Sequence, residues 1–145
     1  MKFRSNSVEQ TQKIASSLAK KIIKIGSQRH AQIFALEGEL GAGKTTFVKG
    51  FASALGIKAH ITSPTFVLMK RYAVSMSKTY LYHIDAYRLR NHRDLMPLGI
   101  KEIMADPRNI ILIEWSDRVK KILPGKYVKV HIDHINGNTR KIEIK

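Results

Sequence analysis

The feature that most constrains this chain is a phosphate-binding loop at residues 38–45. These residues read GELGAGKT and match the pattern G-x-x-x-x-G-K-[ST] in full. An apolar stretch at residues 32–36 precedes the loop and a helical pattern follows it, which is the context that this motif requires. Glycines let the backbone curl so that successive amides face one anion, and the helix N-terminus adds partial positive charge. The chain is therefore predicted to bind a nucleotide.

Within the loop, the residue types predict separate roles. Lys44 is expected to reach the β- and γ-phosphates, and the Thr45 hydroxyl is expected to hold Mg²⁺. The other loop residues assigned to the nucleotide site are Glu39, Leu40, Gly41, Ala42 and Gly43. A dinucleotide-binding turn would need a glycine at the position of Thr46, which excludes that interpretation.

Hydrophobic patterns predict an α/β fold in a single domain over residues 1–145. One helix is predicted at residues 7–25, with Ser7 and Gln10 as a capping box and Gly26 as its end, and a second at residues 44–55. Strands are predicted at residues 32–36, 66–74, 79–87, 109–115, 127–132 and 139–144. Loop and short helix are expected at residues 90–106. The last two strands alternate around an Asn-Gly turn and predict a C-terminal β-hairpin. The sheet should be mixed, with a buried parallel centre and antiparallel additions.

Two predicted strands end in an acid, as P-loop enzymes usually require for metal binding. The run IILI leads into Glu114, and LYHI leads into Asp85. Strand alternation places His83, Asp85 and Tyr87 on one face, and Arg88 follows where it could reach a phosphate or pair with an acid. From these patterns, either acid could serve as the metal ligand or be a solvated acid at a strand end. A lone histidine such as His83 is more often structural.

Two further segments bear on the nucleotide. Thr62–Phe66 lies about where phosphate-sensing loops occur in nucleotide switches, although its pattern alone favours an ordinary Ser-Pro turn. Asn91–Asp94 resembles the guanine-selecting N-K-x-D but lacks the lysine. ATP is therefore favoured over GTP.

The charge of the chain lies mainly in its flanks. There are 26 Lys and Arg against 11 Asp and Glu, a net charge of +15. Residues 1–30 hold 7 basic and 1 acidic residue, and residues 118–145 hold 8 basic and 2 acidic, so each flank carries +6. A basic surface attracts polyanions, which makes RNA or an acidic protein a possible partner. No aromatic-plus-basic recognition motif accompanies the charge, so compositional drift stays the alternative.

Composition excludes some classes of site. The chain has no cysteine, which excludes disulfides, thiolate metal sites and cysteine nucleophiles. No apolar stretch approaches the ~20 residues of a membrane helix, and residues 1–12 lack the apolar run of a signal peptide. The expectation is a cytoplasmic protein without a membrane segment.

Four motifs together resemble the bacterial TsaE family. They are GELGAGKTT, TSPTF, H-x-D-x-Y-R and a strand that ends in Glu-Trp, and the resemblance spans about residues 7–145. Members of that family are small P-loop ATPases needed to make threonylcarbamoyladenosine at position 37 of tRNAs. The resemblance implies a three-layer P-loop α/β sandwich. It also implies that this chain hydrolyses ATP with Mg²⁺ to support the TsaB–TsaD complex, in which TsaD transfers the threonylcarbamoyl group.

The same resemblance assigns individual residues. By match, Lys44, Thr45 and Thr46 contact the phosphates and Mg²⁺. Asp85 and Glu114 lie near the metal, so both acids could serve. The switch-like loop of the family corresponds to Ser63, Pro64 and Thr65, with Thr65 at the nucleotide. Trp115 corresponds to a tryptophan beside the site, and Arg88 is the best internal candidate for a catalytic positive charge.

Two other functions remain open at the level of sequence. A small-molecule kinase would share the P-loop, and Arg88, Arg90 and Arg93 could form a short lid over a second substrate. A nucleotide-dependent binding module without significant hydrolysis would also show these motifs. Direct contact with tRNA through the basic flanks is left open as well.

Overall fold

The structure is a computed structural model that describes residues 1–25, 29–62, 68–74 and 78–145. Its helices are α1 (Val8–Ile25), α2 (Lys44–Ala54) and α3 (Ile100–Ala105), with 3₁₀ segments at His92–Leu98 and Ser116–Ile122. Its strands are β1 (Lys2–Ser5), β2 (Gln32–Glu37), β3 (Met69–Ala73), β4 (Tyr80–Asp85), β5 (Asn109–Glu114), β6 (Val128–Asn136) and β7 (Thr139–Ile144).

The strands form one mixed sheet in the order β1-β7-β6-β2-β5-β4-β3. The four central strands, β6, β2, β5 and β4, run parallel to one another. The outer pairs β3–β4, β6–β7 and β1–β7 are antiparallel. The predicted parallel centre with antiparallel additions and a C-terminal hairpin is confirmed.

Both faces of the sheet are covered, which gives three layers. Successive residues of β5 alternate between the two faces. Ile110 and Leu112 pack in the core that includes α1 and α2. Ile111 and Ile113 pack in the core that includes α3 and the 3₁₀ segments. The residues of β5 are buried throughout, as expected for a central parallel strand.

Helices α1 and α2 pack closely because one contact point has no side chain. A Cβ on Gly50 would collide with the backbone of Gln12. The start of α1 resembles the predicted capping box: Ser7 Oγ accepts from the Gln10 amide at 3.1 Å. Gln10 Oε1 accepts from the Asn6 amide at 2.7 Å rather than from the amide of Ser7. Ser7 therefore caps the helix as predicted, whereas the side chain of Gln10 caps the amide of the residue before Ser7.

Several element bounds differ from the sequence prediction. Strand β1 was not predicted, since four residues are too short for a period-2 pattern to be recognised. Strand β6 continues to Asn136, beyond the predicted end at Ile132, and β4 ends at Asp85 rather than Tyr87. The described residues do not include the predicted helix end at Gly26, residues 63–66 of the Thr62–Phe66 loop, or residues 75–77 between two predicted strands. Within the part of the chain that is described, no helix combines the length and apolar character needed to cross a bilayer.

Candidate nucleotide-binding site

The phosphate loop connects the end of β2 to the start of α2, at the carboxyl edge of the parallel strands. Gly38, Gly41 and Gly43 have φ angles of 150°, 78° and 108°, a region that side-chain-bearing residues rarely occupy. A Cβ on Gly38 would also collide with the carbonyl oxygen of Ile132 in β6. The glycine pattern therefore has a local cause in backbone conformation and, at Gly38, a cause in the packing of a neighbouring strand.

A cleft of about 440 Å³ opens beside the loop. It is lined by loop residues, by the ends of β4 and β5, and by one residue of β7: Leu40, Gly41, Gly43, Lys44, Thr45, Thr46, Asp85, Tyr87, Arg88, Glu114, Trp115 and Arg140. Most of the residues assigned from sequence thus surround one cavity. Glu39 does not line it and acts through its carbonyl, and Ala42 is buried beneath the loop. Thr65 lies outside the described residues.

Lys44 occupies the mouth of the loop. Its Nζ donates to the carbonyl oxygens of Gly38 at 2.5 Å and Glu39 at 2.9 Å. The same Nζ lies 4.1 Å from the centre of the Trp115 ring, a cation–π distance. Burial lowers the pKa of Lys44, while the charge of Glu114 and, to a smaller extent, that of Asp85 act to raise it. The Lys44 ammonium therefore lies against the loop carbonyls and the Trp115 ring, and the charges of both acids act on it.

Glu114 is fixed by two neighbours. It is the last residue of β5 and is only 3% exposed. Thr45 Oγ1 donates to its Oε1 at 3.3 Å, and His83 Nε2 lies 2.5 Å from its Oε2. With Glu114 ionised, its carboxylate can only accept, and Nε2 is then the donor of that bond. His83 is fully buried and directs Glu114 toward Thr45.

Asp85 lies beside Glu114 in the register of β4 and β5. It is half-buried, and its Oδ1 accepts from the amide of Tyr87 at 3.0 Å. Arg88 lies nearby at the rim of the cleft with an exposed side chain. Asp85 therefore lines the cleft from the end of its strand and is more exposed than Glu114.

The oxygen atoms of Thr45, Glu114 and Asp85 suit Mg²⁺. Magnesium prefers hard oxygen donors and keeps much of its coordination for water and substrate phosphates, so it needs few protein ligands. In the described ranges, no three His, Cys, Asp or Glu side chains cluster as a metal cage. A hydroxyl and carboxylates beside a phosphate loop are instead the set expected where the nucleotide completes the coordination.

Trp115 has an unusual backbone. Its φ of 58° makes it the one non-glycine residue with positive φ in the described part of the chain. Its ring contacts Lys44 Nζ and lies 4.9 Å from the ring of Tyr87, centre to centre. Such conformations cost energy and occur often at functional sites. The turn brings the ring over the cleft directly after Glu114.

Arg140 is a site residue that sequence reasoning missed. Its Nε donates to the carbonyl of Ala42 at 2.7 Å, and its Nη2 lies 3.4 Å from that of Gly41. The alternation of β7 could have indicated an inward-facing Arg140, because Arg140 shares a strand face with the buried residues Ile142 and Ile144. His83 was named from its strand position, but its contact with Glu114 was not predicted, because the two residues lie 31 positions apart.

Comparison with known proteins decides the family. The family model described as "Threonylcarbamoyl adenosine biosynthesis protein TsaE" matches residues 5–142. The chain belongs to the TsaE family. Curated relatives named "tRNA threonylcarbamoyladenosine biosynthesis protein TsaE" include one from Bacillus subtilis, 35% identical over 98% of this chain and 83% of the relative. Another, from Treponema pallidum, is 39% identical over 77% of this chain and 80% of the relative.

The structural comparison agrees with this family. The crystal structure of YdiB from Bacillus subtilis superposes with a TM-score of 0.77 at 32% identity, covering 98% of this chain and 82% of that one. The family resemblance and the three-layer fold that the sequence predicted are both confirmed.

Proposed function

We propose that this TsaE-family protein hydrolyses Mg²⁺-ATP in the cytoplasm and thereby supports the TsaB–TsaD complex in forming threonylcarbamoyladenosine at position 37 of tRNA. The names of its relatives support the pathway. One observation carries the ATPase assignment: Thr45 Oγ1 donates to Glu114 Oε1 at 3.3 Å beside Lys44, at the edge of a phosphate loop. This contact brings a hydroxyl, an acid and an ammonium, which are groups of the kinds that bind Mg²⁺ and phosphate, into one cleft.

Each side chain has a role in the proposed reaction. The loop amides and Lys44 bind the β- and γ-phosphates. Thr45, Glu114 and Asp85 hold Mg²⁺, which when bound neutralises charge that develops on the phosphate oxygens.

Hydrolysis by the protein alone is proposed to be slow. Fast phosphoryl transfer needs a fixed water and well-placed positive charge. Arg88 is the internal candidate for that charge, and its side chain is exposed at the rim of the cleft. Leu40, at the tip of the phosphate loop, is 74% exposed, so the mouth of the cleft is accessible to a partner. Docking of the partner complex would move Arg88 toward the phosphates or add a missing group.

A reconstitution tests this function. ATP turnover is measured for the protein alone, with TsaB, with TsaD and with both, alongside multiple-turnover modification of tRNA. The expected result is slow hydrolysis alone, faster hydrolysis with the complex, and tRNA modification that needs this protein and ATP. Rapid turnover that the complex does not change would contradict the proposal.

The same assay separates the two alternatives. A phosphorylated metabolite formed in stoichiometric amount would identify a kinase, whereas free phosphate alone would not. Full support of modification by a non-hydrolysable ATP analogue would identify a binding module.

A further inference from the structure

A single guanidinium connects the C-terminal hairpin to the phosphate loop. Arg140 donates from Nε and Nη2 to the carbonyls of Ala42 and Gly41. Its Nη1 donates to the carbonyls of Gly137 at 2.9 Å and Thr139 at 3.2 Å, within the hairpin itself. Because Ile142 and Ile144 on the same face are buried, the strand that carries Arg140 is anchored in the core. The loop is therefore tethered to a fixed element by two hydrogen bonds, and two more hold the guanidinium against the hairpin.

These contacts act on the groups that would bind phosphate. The carbonyl of Ala42 and the amide N–H of Gly43 belong to the same peptide unit. A cation that hydrogen-bonds the carbonyl polarises this unit and makes its N–H a stronger donor. Glycine-rich backbone also loses more conformational entropy than other sequences when it is ordered. A loop already held by its carbonyls loses less on binding an anion.

We propose that Arg140 is a positioning residue for the polyphosphate of the nucleotide. From β7 it holds the carbonyl side of the loop, so that the amide side is arranged for an anion before the anion binds. The inference rests on the proposed function, since it takes a nucleoside diphosphate or triphosphate as the ligand of this cleft. Arg140 also lines the cleft, so its charge adds to the attraction for phosphate.

Lys141 provides a matched control. It is the next residue of β7, it is exposed, and strand alternation directs it to the opposite face of the sheet. Arg140→Gln and Lys141→Gln each remove one positive charge from the same strand, but only the first removes contacts with the loop. We expect Arg140→Gln to weaken binding of Mg²⁺-free ADP, measured by calorimetry, by about tenfold. Lys141→Gln should weaken it by less than about twofold, because exposed charges are screened by salt.

Arg140→Lys separates charge from geometry. Lysine keeps the charge but lacks the planar fork that reaches two carbonyls at once. Its ADP affinity should therefore lie between those of the wild type and Arg140→Gln. Equal ADP affinities for Arg140→Gln and Lys141→Gln would overturn the proposal.

Hydrogen exchange provides a signature that a general structural role would not give. In the protein without nucleotide, Arg140→Gln should speed amide exchange at residues 38–44 and leave the amides of Ile142 and Ile144 protected. Faster exchange along β7 together with the loop would show that Arg140 only stabilises the hairpin, and would overturn the proposal.

Two further outcomes keep the test decisive. If Arg140→Gln does not fold, Arg140→Lys decides: ADP binding weaker by at least about threefold with faster loop exchange supports the proposal, and wild-type values of both overturn it. Failure of the wild-type protein to bind ADP or ATP would instead refute the proposed function.

Discussion

Strands β4 and β5 lie side by side and end on acids in register, Asp85 beside Glu114, yet the two carboxylates have different surroundings. Glu114 is almost fully buried and joins the buried His83 to the hydroxyl of Thr45. Asp85 is half-buried, and its carboxylate accepts a hydrogen bond from the amide of Tyr87. Glu114 is therefore part of the core as well as of the site, whereas Asp85 contributes mainly to the cleft. Mutations of Glu114 should therefore lower both stability and hydrolysis, whereas mutations of Asp85 should lower hydrolysis with little loss of stability.

The largest effect should come from removing the cation that faces both acids. Lys44→Ala should lower ATP hydrolysis by about 1,000-fold, because a preorganised charge at the phosphates is lost. The fold should survive, since carbonyl oxygens of the loop can accept hydrogen bonds from water instead. Hydrolysis and ATP affinity are measured beside a circular dichroism spectrum. Unchanged affinity and unchanged hydrolysis would show that Lys44 does not contact the phosphates.

Glu114→Ala should affect both catalysis and stability. Loss of the carboxylate should lower hydrolysis by at least about 100-fold. It also leaves the buried Nε2–H of His83 without its acceptor, which costs about 1–3 kcal/mol. Glu114→Gln is the control: its amide oxygen can still accept from His83, so thermal stability should largely return while hydrolysis should not. If Glu114→Gln and Glu114→Ala melt at the same temperature, the His83 contact does not stabilise the fold.

Asp85→Ala should affect catalysis without the loss of stability. Hydrolysis should fall by about 100-fold, more than nucleotide affinity, because the loop amides supply much of the phosphate binding. The free energy of unfolding should change by less than about 0.5 kcal/mol, as for most half-exposed positions. Chemical denaturation in the absence of nucleotide measures this. Normal hydrolysis would show that Asp85 is structural, and a stability loss equal to that of Glu114→Ala would remove the contrast between the two strand ends.

His83→Leu tests how far Glu114 depends on its buried partner. Residues that orient a metal ligand typically change metal affinity or activity by about 10- to 100-fold when mutated. Hydrolysis and the apparent Mg²⁺ requirement should change within that range, while Mg²⁺-free ADP affinity should not. His83→Gln keeps a donor near the carboxylate and should recover part of the loss. If His83→Leu and His83→Gln lower hydrolysis equally, the hydrogen bond from His83 does not orient Glu114.

The smallest effect is spectroscopic and is measured first on the wild-type protein. Trp115 is the only tryptophan, and its ring contacts Lys44 Nζ at 4.1 Å. Nucleotide phosphates should draw this ammonium toward the loop amides, and the fluorescence of Trp115 should change on titration with Mg²⁺-ATP. The Lys44→Ala variant should lose most of the response. No change at saturating ATP would place the end of β5 away from the bound phosphates.

Much of the fold is encoded in short stretches of the sequence. The phosphate loop, helices α1 and α2, the buried strand β5 and the final hairpin all have patterns that can be recognised within about ten to twenty residues. The same holds for the two acids at strand ends, since a polar residue after an apolar run marks the edge of a sheet. Strand β1 could not be found in this way, because only its pairing with β7 makes it a strand.

The sequence by itself determined that this chain has a phosphate-loop motif, and it named most of the residues around the cleft but not Arg140. The tertiary structure decided which of them meet. The Thr45–Glu114, His83–Glu114 and Arg140–Ala42 contacts join residues 69, 31 and 98 positions apart. Such contacts depend on strand order and register, which local patterns do not specify. The left-handed backbone of Trp115 likewise depends on the packing around it, because nothing in its own side chain favours that conformation.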